Sequence, residues 1–185
     1  VEEVLTFDAV AEFGLIDFDE LVSYYEGRYQ AARRAFPDQV YTGGYYQTLV
    51  SGAIEVFGWD MLLLAAGSDL KRFAKVLDTI HQQTMHHAHA WCHTSCEVYM
   101  CHDDMVWTQG PFIRPSFYRA EIFPRYTELW KMLHDHGKLV AFTSDGNFDM
   151  FVDDVVAAGA DCLCFEPMSQ LEPEVDTYGT SHCIT

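Results

Sequence analysis

Basic residues and long apolar runs are both scarce in this sequence. Lys and Arg together number 11 against 28 Asp and Glu, which gives a formal net charge of −17. A field of that sign repels nucleic acids and anionic membrane surfaces unless a basic patch intervenes, and the sequence contains no basic run. No window approaches the roughly 20 apolar residues of a membrane span, and the first residues show no basic region followed by an apolar core. We therefore predict no nucleic-acid partner, no membrane span and no signal peptide.

Nucleotide-binding motifs and a disulfide framework are also missing. Neither GxGxxG nor GxxxxGK[ST] follows any predicted strand, so nothing indicates a phosphate-binding loop. The 6 cysteines are too sparse in 185 residues to indicate a disulfide scaffold. Without a secretory signal they indicate reduced thiols and a cytoplasmic protein.

The sequence holds enough apolar residues for one sizeable core. Of the 185 residues, 49% are apolar and 15% are aromatic, which suits one hydrophobic core and is too few for two. No linker, repeat or low-complexity stretch divides the chain, so we predict a single domain over residues 1–185. The chain opens inside a polar–apolar pattern and stops where a strand begins, so we expect a segment of a longer protein.

Strands and helices alternate along the chain. Short apolar runs predict a strand starting at 182 and strands over 39–46, 96–101, 139–142 and 161–165. Helical spacing predicts helices over 17–36, 48–66, 68–93, 115–137, 148–158 and 171–178. This alternation predicts an α/β fold with a parallel sheet, about five βα units of an incomplete (β/α)8 TIM barrel or part of an open doubly wound sheet. Uncovered edges of such a segment favour self-association, for example as a homodimer.

Polar residues follow the predicted strands. The strands run into Tyr45-Tyr46, His102-Asp103-Asp104, Ser144-Asp145 and Glu166. In parallel α/β folds the carboxyl ends of the strands form the rim where sites are assembled. We therefore expect these side chains to meet around one cavity.

The rim acids each have a structural alternative. Asp103 and Asp104 either direct a carboxylate into the cavity, where it stabilises a developing cation, or cap the next loop on a solvated rim. Asp145 and Asn147 either bind substrate or form an Asx-turn that caps the following helix. The sequence leaves both alternatives open.

The tyrosines and the one arginine of the predicted rim loops also allow both a functional and a structural interpretation. Tyr45 and Tyr46 either wall the pocket or belong to the core beneath it. Arg114 pairs either with a substrate carboxylate or with a surface acid. A single rim arginine in so acidic a chain favours a substrate that is small and carries few carboxylates.

A longer motif supports a family resemblance. The stretch CHDDMVWTQGPFIRPSFYRAEIFPRYTELWKMLHDHGKLVAFTSDGN, residues 101–147, contains an acidic strand end, a Pro-x-x-Tyr helix start, a Pro-x-Tyr segment, and a strand ending before Gly-Asn. It resembles the uroporphyrinogen decarboxylase superfamily. The segments GGYYQTLVSGAIEVFGWD (43–60) and DDVVAAGADCLCFEP (153–167) look like the family's neighbouring elements. The resemblance covers roughly residues 20–185.

This resemblance implies a longer (β/α)8 barrel with one of two activities. One branch removes carboxylates from pyrrole acetate arms without a cofactor. The other transfers methyl groups between a corrinoid protein and a thiol, using zinc held by His-x-Cys and a later Cys. Thr143 and Asp145 occupy the His-x-Cys positions here, and threonine is a very poor zinc ligand. We therefore expect a cofactor-independent decarboxylase that acts on a carboxylated pyrrole, a porphyrinogen or a related small molecule, and assign no metal ligands.

The expected site follows from this interpretation. The predicted catalytic residues are Asp103, Asp104 and Asp145. The predicted substrate-binding residues are Tyr45, Tyr46, His102, Arg114, Asn147 and Glu166. Two alternatives remain: a corrinoid-dependent methyltransferase without the usual zinc ligands, whose partner would be a methyl-corrinoid protein, and a small-molecule-binding barrel without catalysis.

A dense histidine and cysteine cluster lies outside that site. Its members are His86, His87, His89, Cys92, His93 and Cys96. Their helical spacing makes a metal site chemically feasible. The cluster lies on a crossover helix that enters the bottom of a strand, away from the predicted rim, so we interpret it as an ordinary polar helix face.

Overall fold

The computed structural model describes residues 1–185, in which helices and strands alternate. The α-helices are α1 Glu2–Leu5, α2 Ala9–Phe13, α3 Phe18–Ala35, α4 Leu49–Ser68, α5 Leu70–Cys92, α6 Pro115–Phe117, α7 Phe123–Asp135, α8 Val152–Ala158 and α9 Leu171–Tyr178. A π-turn at Tyr118–Ile122 precedes α7, and a 3-10 turn at Asp149–Phe151 precedes α8. The strands are β1 Gly43–Gly44, β2 Val98–His102, β3 Val106–Trp107, β4 Gly110–Pro111, β5 Leu139–Thr143, β6 Cys162–Cys164 and β7 Cys183–Ile184.

Five of these strands form one parallel sheet in the order β1, β2, β5, β6, β7. The pairing of β2 with β5 runs from Val98 opposite Leu139 to His102 opposite Thr143. Each strand of this sheet lies beside its predecessor in the chain, as consecutive strands do in an α/β barrel. The predicted α/β fold with a parallel sheet is confirmed, and closure into an eight-stranded barrel stays a prediction.

The pleat of β2 separates a core face from a half-open face. Tyr99 and Cys101 are buried, whereas Val98, Met100 and His102 alternate with them and remain partly exposed. On the core side, α7 covers the sheet: the stacked rings of its Tyr126 and Trp130 pack against Phe142 of β5. Successive residues of a strand point to opposite faces, so this alternation decides which rim residues face the core.

The first strand is much shorter than predicted. The predicted strand over 39–46 is reduced to Gly43–Gly44. A Cβ atom on Gly43 would lie 2.6 Å from the ring of Trp91, and one on Gly44 would lie 2.6 Å from the carbonyl oxygen of Met100. Only glycine allows this close approach, so the pairing with β2 is confined to the two glycines.

Several predicted element ends are confirmed by their caps. The side chain of Asp17 accepts the Glu20 N–H at 3.0 Å and begins α3. Gly159, at φ 115, ends α8. The helices α1 and α2 and the β3–β4 hairpin were not predicted, because two- to five-residue elements carry no measurable periodicity.

Helix α4 corrects the expectation that no segment could span a membrane. Over its 20 residues, Leu49–Ser68 is long and apolar enough to do so by length and composition alone. Gly58 interrupts it with non-helical torsions, φ 71 and ψ 162, and its residues from Leu49 to Ala53 are buried in the protein core. A core helix passes the same test, so α4 is weak evidence for a membrane span.

One hydrophobic core extends through the structure. It contains 43 buried residues between Val4 and Leu163, and α3, α4, α5 and α7 all contribute to it. Its largest fully buried side chains include Trp130, Tyr99, Tyr118 and Tyr126. The partition of residues 1–185 as a single domain remains our proposal.

Candidate active site

The carboxyl ends of β1, β2 and β5 bring four polar side chains together. Tyr46 follows β1, His102 ends β2, Asp104 lies two residues further on, and Asp145 follows β5. We call these four residues the rim cluster. The sheet register explains the grouping, because His102 lies directly opposite Thr143 and Asp145 is only two residues beyond that pair.

Asp104 is the centre of the rim cluster. Its Oδ2 accepts the Tyr46 hydroxyl at 2.8 Å, and its Oδ1 lies 2.9 Å from His102 Nε2. The same Oδ1 accepts the backbone N–H of Asp145 at 3.1 Å, and the carboxylate of Asp145 lies 3.5 Å from His102 Nε2. The donation to Asp104, together with burial, raises the pKa of Tyr46 to about 12. Tyr46 is therefore a protonated hydrogen-bond donor at neutral pH.

Asp103 faces the other side of the sheet. Its side chain is fully buried and accepts the backbone N–H groups of Val50 at 3.1 Å and Ser51 at 2.6 Å. The Tyr126 hydroxyl donates a third hydrogen bond at 2.6 Å. Burial raises the pKa of Asp103, and these donated bonds oppose the rise. As placed, Asp103 anchors the first turn of α4 to the sheet and does not line the rim.

Tyr45 lies beneath the rim and not at its surface. Its ring stacks on His87 with centroids 3.9 Å apart, and its hydroxyl donates to Gln47 Oε1 at 2.8 Å. His87 is buried and its Nδ1 lies 2.6 Å from the Tyr25 hydroxyl. Burial raises the pKa of Tyr45 to about 12 and lowers that of His87 to about 4, so both are uncharged at neutral pH.

Two cavities meet at the rim cluster. The first, which we call the rim cavity, has a volume of about 340 Å³, and its lining includes Asp104, Asp145, Glu166, Trp59 and Trp107. The second, which we call the tyrosine cavity, has a volume of about 280 Å³, and its lining includes Tyr25, Arg28, Tyr45, Tyr46 and His102. The hydrogen bond between His102 and Asp104 joins the two.

Two predicted substrate-binding residues lie elsewhere. Arg114 lines a separate cavity of about 450 Å³ with Leu63, Phe112 and Ile113, and this cavity shares no residue with the rim cavity. Asn147 uses its side-chain oxygen to accept the Asp149 N–H at 3.0 Å, which is the Asx-turn alternative. The structure thus brings Tyr46, His102, Asp104, Asp145 and Glu166 together, and leaves Asp103, Arg114 and Asn147 outside.

The rim cluster offers metal ligands of a different kind from those of the resembling family. One ligand atom each from His102, Asp104 and Asp145 lies within 4.8 Å of the others. One imidazole and two carboxylates suit a divalent ion such as zinc or iron(II). Thr143 and Asp145 alone, at the family's His-x-Cys positions, do not fit the family's zinc. The donor set that fits an ion is instead divided between β2 and β5.

Two residues that line these cavities, Arg28 and Trp59, were not predicted. Arg28 lies on α3 three residues after the buried Tyr25, and that spacing places both at the tyrosine cavity. Trp59 follows the break at Gly58 in α4 and lies 5.7 Å from Trp107, centroid to centroid. The helical spacing and the glycine were visible in the sequence, but only the folded chain shows that these residues line the two cavities.

Comparison with known proteins supports the fold and leaves the activity open. No protein-family model and no curated protein matches the chain. A solved structure, a methyltransferase from Methanosarcina mazei, is similar over 89% of this chain with a TM-score of 0.68 and 13% sequence identity. The chain spans 46% of that protein's length. At this identity the similarity shows only that the two proteins share an α/β fold, and it gives the decarboxylase assignment no support of its own.

Proposed function

We propose that this chain forms part of a methyltransferase in which the rim cluster accepts a proton from the methyl acceptor. The similarity of fold to a methyltransferase and the sequence resemblance to a superfamily with a methyl-transfer branch both support this choice. The observation that carries it is the placement of His102 against Asp104 at the mouth of two cavities. A histidine oriented by a carboxylate is the common arrangement of a general base.

Methyl transfer to a thiol requires a base that accepts the thiol proton and a thiol sulfur that accepts the methyl group. The acceptor, a thiol by the family resemblance, gives its proton to the ring nitrogen of His102 that Asp104 leaves free. Its sulfur then forms a bond to the methyl carbon, and the electron pair of the broken methyl bond stays with the donor, a methyl-corrinoid. Asp104 stabilises the resulting imidazolium, and Tyr46 holds Asp104 in place through its donated hydrogen bond.

A divalent ion bound by His102, Asp104 and Asp145 would supply a second way of lowering the pKa of a thiol. The two carboxylates would then serve as ligands, and Tyr46 would still orient Asp104 through its hydroxyl. In either case the same residues carry the function, so substitution of His102 tests both.

The charge of the rim cavity argues against a polycarboxylate substrate. Three carboxylates, those of Asp104, Asp145 and Glu166, line it, and Arg114 does not reach it. Trp59 and Trp107 add two partly exposed indole rings. A cavity of this composition favours an uncharged or cationic small molecule, because like charges repel and indole faces attract cations. The decarboxylase interpretation, with its acidic porphyrinogen substrate, therefore has less support.

The test is a methyl-transfer assay on purified protein. We expect methylcobalamin and a small thiol to yield the methyl thioether, detected by mass spectrometry, and demethylated corrinoid, detected by absorbance. The His102→Ala substitution is expected to slow transfer by about 100-fold or more, the usual contribution of a general base. The matched control is His134→Ala, which removes an exposed histidine paired with Asp161 and is expected to retain the rate.

Two outcomes would overturn the proposal. One is the absence of thioether with free methylcobalamin and with a methyl-corrinoid protein. The other is a His102→Ala protein that transfers methyl groups at the wild-type rate. Release of CO2 from a carboxylated pyrrole, with no thioether formed, would return the assignment to the decarboxylase.

A further inference from the structure

Three imidazoles converge at the end of the sheet opposite the rim. His89 lies near the end of α5, His93 follows its last residue, and His136 follows the last residue of α7. One ring nitrogen from each lies within 4.8 Å of the others, and the ring centroids are 5.0, 5.7 and 5.8 Å apart. His93 and His136 are exposed, so the group is open to solvent. We call it the histidine triad.

The hydrogen bond of His136 leaves one of its nitrogen lone pairs available. His136 Nδ1 donates to the carbonyl oxygen of Met132 at 2.8 Å. Because a carbonyl only accepts, Nδ1 carries the hydrogen and Nε2 keeps its lone pair. A backbone carbonyl behind the outer nitrogen is the usual support of a metal-bound histidine.

The spacing of the triad suits a tetrahedral ion. His89 Nε2 and His93 Nε2 lie 3.3 Å apart. In a tetrahedral zinc site with bonds of about 2.0–2.1 Å, two nitrogen ligands are roughly 3.3–3.4 Å apart. His89 and His93 are four residues apart on one helix face, the spacing that lets two histidines share an ion. One ring nitrogen of His136 lies within 4.8 Å of the ligand nitrogens of His89 and His93, so a small shift of its ring completes the set.

The surroundings of the triad combine unpaired histidines with two helix ends and an aromatic ring. None of the three histidines forms an ion pair with a carboxylate. Helices α5 and α7 both end at the triad, so the negative ends of two helix dipoles are directed at it. The ring of Phe18 lies 4.9 Å from that of His89 and 5.4 Å from that of His93 and covers one side.

We propose that His89, His93 and His136 bind a divalent transition-metal ion of the zinc type, with the fourth position open to water or an external ligand. Three imidazoles select zinc, copper or nickel over magnesium and calcium, which prefer oxygen ligands. The ion joins the ends of α5 and α7. The five residues of β2 separate it from the rim by about 16 Å, so the site is independent of the proposed methyl transfer.

Calorimetric titration of ZnCl2 into the protein tests the site. The titration is performed in the His102→Ala background, which removes the imidazole of the rim cluster. We expect one ion per chain, and His93→Ala and His136→Ala are each expected to weaken binding by about 100-fold or more, since loss of a supporting residue behind a ligand alone costs about 10–100-fold. The control His134→Ala removes a histidine two residues from His136 and is expected to bind like its parent.

Spectra and heat stability give two further readouts that do not depend on calorimetry. Cobalt(II) is expected to give the intense visible bands of tetrahedral coordination, and His136→Ala is expected to lose them. Zinc at 100 times its dissociation constant is expected to raise the melting temperature by about 5–10 °C. Zinc binding that is undetectable at millimolar concentration, or that is unchanged in both alanine variants, overturns the proposal, as does a weak octahedral cobalt spectrum.

Discussion

The neighbouring acids Asp103 and Asp104 are expected to respond oppositely to the same substitution. Asp103 is fully buried and joins the sheet to α4 and α7, whereas Asp104 lies in the rim cluster with partners near the surface. Asp103→Ala is therefore expected to destabilise the protein strongly. Asp104→Ala is expected to leave stability nearly unchanged and to abolish methyl transfer.

The magnitude follows from the donors that each substitution leaves behind. Without Asp103, the N–H groups of Val50 and Ser51 and the hydroxyl of Tyr126 lose their acceptor inside the protein. An unsatisfied buried donor costs about 1–3 kcal/mol, and water entering the vacated volume recovers part of this. We expect a loss of about 3–6 kcal/mol, a large share of the 5–15 kcal/mol typical of a folded domain. For Asp104→Ala we expect a loss of about 1 kcal/mol or less.

Urea unfolding followed by circular dichroism measures the difference. With a slope of about 2 kcal/mol/M, the Asp103→Ala midpoint should fall by about 1.5–3 M at unchanged slope. Asp103→Asn keeps the shape and one acceptor oxygen, so its midpoint should fall between the alanine variant and wild type. Equal midpoints for the two alanine variants, or a loss below about 1 kcal/mol for Asp103→Ala, would refute the assignment of Asp103 to the core.

Three further predictions follow from single residues. Burial lowers the pKa of His87 to about 4 in the folded protein, whereas the unfolded chain has the ordinary value of about 6.5. As the pH falls below about 6.5, His87 therefore becomes protonated in the unfolded chain but stays neutral in the folded protein. The unfolding free energy should then decrease by about 3 kcal/mol between pH 6.5 and 4, and His87→Phe should show a flatter dependence of the urea midpoint on pH; equal slopes would contradict this. Gly146 has φ 111 and its Cβ would lie 2.8 Å from the backbone of the β3–β4 hairpin, whereas Gly110 has φ 108 and open space. Gly146→Ala should therefore lower the urea midpoint clearly more than Gly110→Ala, and equal losses would mean that backbone torsion alone matters. Tyr46→Phe removes the hydroxyl that donates to Asp104 and should slow methyl transfer by about 10-fold with stability preserved; an unchanged rate would exclude a positioning role.

Local chemistry made much of the fold predictable. The cap at Asp17 and the end of α8 at Gly159 depend on the residues themselves, and both lie where the predicted helices begin and end. The length of β1 depends instead on distant partners: Gly43 is pressed against Trp91 and Gly44 against Met100. Nothing in the local sequence reports such a contact, so the strand was predicted too long.

The sequence predicted which residues lie at the strand ends of the candidate site. It did not predict which face of the sheet each side chain points to. The polar residues were expected at strand ends, and Tyr46, His102, Asp104 and Asp145 do meet there. Asp103 was grouped with them because it lies between two of them. The period of two along β2 separates it, since Tyr99, Cys101 and Asp103 are all buried on the same face while Met100 and His102 remain half-exposed.

The candidate site is formed by residues that lie side by side on neighbouring strands, and not by a motif along one strand. The resemblance places a zinc-binding histidine at the position of Thr143, and the motif along β5 is therefore broken. In the sheet, however, Thr143 lies directly opposite His102, so an imidazole stands in the same row one strand away. Asp145 lies two residues beyond Thr143 and its carboxylate approaches that imidazole to 3.5 Å. A neighbouring strand can therefore place a donor at the level of a position that lacks one, because parallel pairing sets residues of adjacent strands in the same row.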